Sequence, residues 1–241
     1  MGEVIGLVSG AGGTGKTACT AGIALALAKS GKTVLCIDCC EGLGNLDIYL
    51  AVESQDALSY ADICRGHYTL AQAAVHPTER NLRYLTAPVH AAGVDRRAFL
   101  ALLATARREF DYVLLDAPGG LGEMALLAAD GADRCVVLCG IDPASVRAAG
   151  RMADALQLQK KTDVRMLVTR VHSGRLRAMR KTVDDLMDSV GLPLLGLVPE
   201  DEQVLLLSGT ERFPTGRQGA FAAYGRIAKR LQGMPVPVPT R

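Results

Sequence analysis

Tryptophan is absent from this sequence, which has only four phenylalanines and six tyrosines among 241 residues. A chain so poor in rings must pack its core with small aliphatic side chains, as layered sheets and helices do. Charge of one sign is also missing: 27 lysines and arginines face 25 acids, for a net charge of +2. That excludes a surface dominated by positive potential, and with it an obvious polyanion binder. The densest basic run, Arg170, Arg175, Arg177, Arg180 and Lys181, reads as the solvated face of one helix and its leading loop, so no direct nucleic-acid contact is expected. No uninterrupted apolar stretch reaches the roughly 18 residues of a membrane-spanning helix. The opening MGEVIGLVSG has too short an apolar run for a secretory signal. Seven cysteines without such a signal read as reduced, buried thiols of a cytoplasmic protein.

What is present is alternation. Nearly continuous apolar runs at Val4–Val8, Thr33–Asp38, Leu82–Ala87, Tyr112–Asp116, Cys135–Cys139, Val164–Thr169 and Leu194–Val198 predict strands covered on both faces. Helical patterns lie between them. Lys16–Ser30 stops at Gly31, Asp95–Arg108 is amphipathic, and Asp142-Pro143 supplies an N-cap followed by proline at the first helical position. The expectation is an α/β fold: one three-layer domain over residues 1–233 around a mostly parallel, doubly wound sheet. Residues 234–241, MPVPVPTR, cannot continue a helix because proline alternates through them, and are expected to form an extended, flexible tail.

The first strand runs into Gly10, Ala11, Gly12, Gly13, Thr14, Gly15, Lys16 and Thr17. This stretch meets every fixed position of the phosphate-binding pattern G-x-x-x-x-G-K-[ST]. Glycines let successive amides turn inward around phosphate oxygens, and the following helix adds the positive end of its dipole. Lys16 is the candidate for the terminal phosphates and Thr17 for magnesium. A second acidic element supports this: the strand Tyr112–Asp116 ends in a carboxylate before Ala117-Pro118-Gly119-Gly120, at the sheet's carboxyl end, where Asp116 can hold magnesium or its water. ATP and Mg2+ are the expected ligands.

Further motifs follow in order: VLCIDCCEGLGNLDIYLAVE at 34–53, LLDAPGG at 114–120, DPASVR at 142–147, LVTR at 167–170 and LLGLVPEDEQVL at 194–205. Together with the loop they make the chain, from residue 5 to about 230, resemble the MinD/ParA family of P-loop ATPases, its MinD branch most closely. The resemblance implies a nucleotide-dependent homodimer or heterodimer whose ATP hydrolysis answers to a regulatory protein, in division-site placement or cargo positioning. It places Asp38 near the magnesium shell and Asp116 as the Walker B acid. Thr169-Arg170 and Pro199-Glu200-Asp201 match loops around the adenine, and Leu43 to Asp47 a switch loop sensitive to the γ-phosphate.

Four departures qualify the resemblance. Ala11 stands where the family keeps a lysine that reaches the other subunit's phosphates, so dimerisation is expected to be weaker or to use another cation. Cys40 replaces a carboxylate that helps orient the attacking water, and an ordinary thiol is a poor substitute at neutral pH. Glu41 would need a shifted backbone to serve. Hydrolysis is therefore expected to be slow or lost. Ala148, Ala149 and Gly150 replace acidic positions of the family that contribute to partner contacts, so recognition of a MinE-like activator is not implied, although Arg147 and Arg151 remain. The basic amphipathic helix that docks the MinD branch on membranes has no counterpart in the proline-rich tail, and direct membrane binding is not expected.

Cys36 and Cys39 form a CxxC, but inside a strand rather than on a turn, which favours core thiols over a metal site. Cys135 and Cys139, four apart on a strand, read as core on one face. A dimer-bridging iron–sulfur cluster would have only Cys40 near the expected dimer face. His67, His76, His90 and His172 lack the spacing of a base and nucleophile and read as surface residues. Two rivals stay open: a degenerate member that uses ATP to stabilise a scaffold or adaptor, and an ATP-dependent biosynthetic enzyme of the dethiobiotin synthetase type.

Overall fold

The structure, a computed structural model, describes residues 1–42, 44–52, 58–72, 74–75, 79–89, 93–206 and 218–238. Strands β1 (Glu3–Ser9), β2 (Val34–Asp38), β3 (Ala74–Val75), β4 (Leu82–Leu85), β5 (Tyr112–Gly119), β6 (Arg134–Cys139), β7 (Val164–Val171) and β8 (Leu194–Pro199) join in one sheet of order β3-β4-β2-β5-β1-β6-β7-β8. All seven expected strands are present and mutually parallel. β3 is an addition: two residues pair antiparallel with β4 at the edge, too short to leave a periodic signal in the sequence.

The helices are α1 (Lys16–Lys29), α2 (Leu46–Leu50), α3 (Tyr60–Cys64), α4 (Arg96–Glu109), α5 (Glu123–Gly131), α6 (Pro143–Leu158), α7 (Ser173–Ala178), α8 (Val183–Val190), α9 (Glu202–Leu206) and α10 (Gly219–Leu231). Two buried clusters divide them. On one face of the sheet Ile23 and Leu27 of α1, Leu46 and Leu50 of α2, and Tyr224 and Ile227 of α10 cover Ile5, Cys36 and Leu114. On the other, α4, α5, α6 and α8 cover Val4, Leu35, Val113 and Val137. Alternate residues of β1 and β2 thus feed opposite cores, which is why those runs are apolar throughout.

Local chemistry sets the ends of these helices. Asp142 caps α6, its carboxylate accepting from the Ser145 amide at 2.9 Å, with Pro143 as the first helical residue. Asp95 does the same for α4. α1 stops at Lys29, and Gly31 follows in the left-handed region at φ 87°. The apolar side of α10 is packed inward: Phe221, Tyr224, Ile227 and Leu231 are buried against the rest of the protein. Beyond it, the carbonyls of Val236 and Pro237 accept from Arg230, which also reaches the Leu195 carbonyl at 2.7 Å. No helix among the described residues is long and apolar enough to cross a membrane.

Candidate functional site

β1 lies between β5 and β6, and the chain leaves it toward β2 on one side and later crosses to β6 on the other. The crevice of a doubly wound sheet opens at such a reversal, beyond the carboxyl ends of the strands. Residues 10–15 occupy that position. Gly13 and Gly15 adopt φ of 72° and 81°, a region that suits only glycine without strain. Gly15 is also the N-cap of α1, and no side chain accepts its first-turn amides, which leaves them directed at a ligand. Gly10 is needed for closeness: a Cβ there would fall 2.0 Å from the Ala148 carbonyl oxygen of α6.

The loop is held from beneath. The Ser9 hydroxyl donates to the Ala11 carbonyl and accepts from the Ala11 amide at 3.2 Å and from the Thr14 hydroxyl at 3.0 Å. Thr169, buried on β7, donates to the Thr14 carbonyl at 2.7 Å. The two threonines are thereby tied across 155 residues of sequence.

Asp38 and Asp116 end up opposite each other because β2 and β5 pair in register at these residues. Both are fully buried. The Asp38 oxygens accept from the amides of Cys40 at 2.8 Å and Leu46 at 3.2 Å. One Asp116 oxygen accepts from Thr20 at 3.1 Å, and the nearby Thr17 hydroxyl favours the charged form of this carboxyl. The other oxygen, Oδ2, is buried with no hydrogen-bond partner. Burial first, then the nearby Asp38 charge, push the Asp116 carboxyl up to about 7. Burial likewise raises Asp38, against the two amide bonds that favour its charged form. Lys16, 7% exposed, is lowered by burial while Asp116 opposes the shift. An orphaned carboxylate oxygen beside a second carboxylate and a threonine hydroxyl fits a divalent cation.

A cleft of about 800 Å³ is lined by residues 13–19 of the loop and α1, by Thr169 and Arg170, and by Pro199, Glu200 and Asp201. Every one of these sequence-derived base-loop positions therefore borders one cavity. Glu200 pairs with Arg170 at 3.5 Å and Arg175 at 2.9 Å at its mouth. Asp201 is turned to the fold, accepting from the amides of Gln203 at 3.0 Å and Ala220 at 2.9 Å. A second cleft, about 480 Å³, adjoins the first at Gly13, Thr14, Thr169 and Arg170 and is lined by Ala11 and the start of α6.

Cys40 is half-buried beside both aspartates, and burial with their charges raises its thiol well above the usual range. Glu41 points elsewhere: its carboxylate accepts from the Tyr60 hydroxyl at 3.0 Å. Cys36 and Cys39 belong to opposite core clusters, so this CxxC cannot chelate one ion, whereas Cys135 and Cys139 share a face. Of the basic run, Arg175, Arg177, Arg180 and Lys181 are exposed. Ala149 is buried within α6. Leu43 of the expected switch loop, and His76 and His90, lie outside the described residues. His172 is more than a surface residue: it accepts from the Arg175 amide at 3.3 Å as the cap of α7 and borders the larger cleft. Sequence reasoning passed over Ser9, Thr20, Tyr49 and Tyr224. Thr20 had a usable signal, since it lies three residues after Thr17 on the helix face that meets β5. Tyr49 and Tyr224 reach the larger cleft only through tertiary packing.

This arrangement defines a P-loop nucleotide-binding α/β protein. Residues 5–214 match the CobQ/CobB/MinD/ParA nucleotide binding domain, and the chain belongs to that family. It is 30% identical to the septum site-determining protein MinD of Bacillus subtilis (strain 168), over 99% of this chain and 92% of that protein. A chain of the MinC:MinD cell division protein complex from Aquifex aeolicus is similar at a TM-score of 0.88 and 28% identity, covering 98% of each chain. The septum site-determining protein MinD complexed with Mg-ADP, from Pyrococcus horikoshii OT3, shares the fold at a TM-score of 0.81 and 23% identity, over 96% of each chain.

Proposed function

We propose that this chain is a MinD-like nucleotide switch that binds ATP with magnesium and hydrolyses it slowly or not at all, in the placement of a division site or the positioning of cargo. The observation that carries the binding half is the orphaned Asp116 Oδ2 below an uncapped helix N-terminus, with Lys16 and Thr17 alongside. Amides of residues 11–17 would surround the phosphates, Lys16 would neutralise the terminal ones, and Thr169, Arg170, Pro199 and Glu200 would border the adenine. Asp201 would shape that border through its hold on α9 and α10. Thr17 and Asp116 would hold magnesium, with Asp38 beside them. When bound, magnesium offsets the charge of the phosphates and of the two carboxylates. The Mg-ADP complex of the P. horikoshii relative supports the choice of ligand.

The second half rests on Cys40 and Glu41. A neutral thiol accepts a water proton poorly, and Glu41 is engaged with Tyr60. Partner control, through a dimer or a further protein as in the MinC:MinD complex, belongs to the same reading. Calorimetric titration of the chain with Mg-ATP tests binding, and a flat titration at protein concentrations well above micromolar sinks the proposal. Single-turnover phosphate release then separates a working switch from an ATP-stabilised scaffold, which the Cys40 environment favours as the second reading.

A further inference from the structure

The metal-facing corner of this site is chemically unlike a pure oxygen cage. Ligand atoms of Asp38, Cys40 and Asp116 all lie within 4.8 Å of one another. That spacing needs only small side-chain adjustments to close around an ion with bonds of about 2.0–2.3 Å. The Asp116 oxygen on this corner is buried and has no partner, and each Asp38 oxygen keeps a second lone pair beyond its one amide bond. Cys40 is the only half-buried cysteine with carboxylates at this distance among the described residues; Cys64, the other half-buried one, is not part of the cluster.

We infer that Asp38, Cys40 and Asp116 form a site for a thiophilic divalent cation of the zinc class, occupied without nucleotide and distinct in metal preference from a magnesium site. Two carboxylates and a thiolate supply three negative charges, which a divalent ion and the Lys16 ammonium together balance. Three protein ligands leave a fourth position of a tetrahedral ion to water. Magnesium demands octahedral oxygen ligation and gains nothing from sulfur, whereas zinc and cobalt accept thiolate readily. On binding, the Cys40 S–H bond and the O–H bond of protonated Asp116 break, both protons pass to solvent buffer, and the freed sulfur and oxygen pairs form the bonds to the metal, with no change in oxidation state. An ion held this way ties the loop after β2 to β5 beneath Lys16. It thereby competes with the arrangement that Mg-ATP requires.

The test uses the full chain, reduced and free of nucleotide, titrated with Co2+ as an optical probe and then with Zn2+ in competition. The expected result is one equivalent of Co2+ with a sulfur-to-cobalt charge-transfer band and tetrahedral visible bands, both displaced by Zn2+. Cys40→Ser should remove the charge-transfer band and weaken binding at least about tenfold, the scale of a lost coordination contact. Cys64→Ser should leave both unchanged, and Asp116→Asn should weaken binding while retaining a weaker band. Co2+ that binds without the band, or a band that survives Cys40→Ser, overturns the inference. Mg-ATP calorimetry on aliquots of the same protein kept free of cobalt and zinc separates the two proposals. Intact ATP binding with no cobalt band discards only this site, and a cobalt band with no ATP binding discards only the nucleotide reading.

Discussion

Asp116 is a fully buried carboxyl raised to about 7 by burial and by Asp38 across the strand pair. Without ligand the folded state therefore keeps this proton at pH values where the unfolded chain, near the ordinary 3.8 of a free aspartate, has lost it. The unfolded state binds fewer protons over that window, so stability falls as pH rises from about 4 to about 7, by up to roughly 1.4 kcal/mol per unit. Urea midpoints should be higher at pH 5 than at pH 8, and Asp116→Asn should flatten the trend. A rising midpoint in the unliganded wild type would contradict this account. Lys16→Ala should weaken Mg-ATP about 10–100-fold, the worth of one charge-assisted contact, read by calorimetry. Cys40→Asp should raise phosphate release by about 100-fold, the lower end of what a positioned base contributes. An unchanged rate would show that the thiol is not what limits turnover.

At the scale of elements, the phosphate loop is a junction of α1, α6 and β7 rather than a free turn. Gly10→Ala would drive a methyl into the Ala148 carbonyl, so the loop and α6 must separate. The expected cost is about 1–3 kcal/mol in denaturant melts, accompanied by lost nucleotide binding. Asp201 joins two helices by accepting from Gln203 and Ala220. Asp201→Ala should cost about 1–2 kcal/mol, as a lost cap does, with a smaller effect on ATP affinity than Lys16→Ala. Equal losses of affinity would mean that Asp201 meets the nucleotide itself.

Across the whole molecule, one sheet carries two cores, and two large clefts border the phosphate loop. Ala11 borders the smaller cleft, where a cation from this chain would face whatever approaches the phosphates. Ala11→Lys should tighten Mg-ATP-dependent self-association about tenfold or more, the effect of one charged hydrogen bond, measured by sedimentation velocity. If association is unchanged, the alanine is not what limits it.

The strand order of the fold was not legible, but its class was, because a run such as Val34–Asp38 must be covered on both faces and Gly10–Thr17 has few uses other than phosphate binding. Asp142-Pro143 announced a helix start from two residues, since capping is local. Thr169 could not be assembled that way: its hydroxyl meets the Thr14 carbonyl only after a distant strand aligns. The antiparallel β3 edge was too short to show a period. The amino-acid sequence by itself determined the alternating elements, the phosphate loop and the family, because those depend on spacing along the chain. Only the tertiary structure decided that Asp38, Cys40 and Asp116 converge with one oxygen unpartnered, that Glu41 is diverted to Tyr60, and that α10 is buried. Each of these follows from strand register and helix packing, which bring together groups that no local pattern relates.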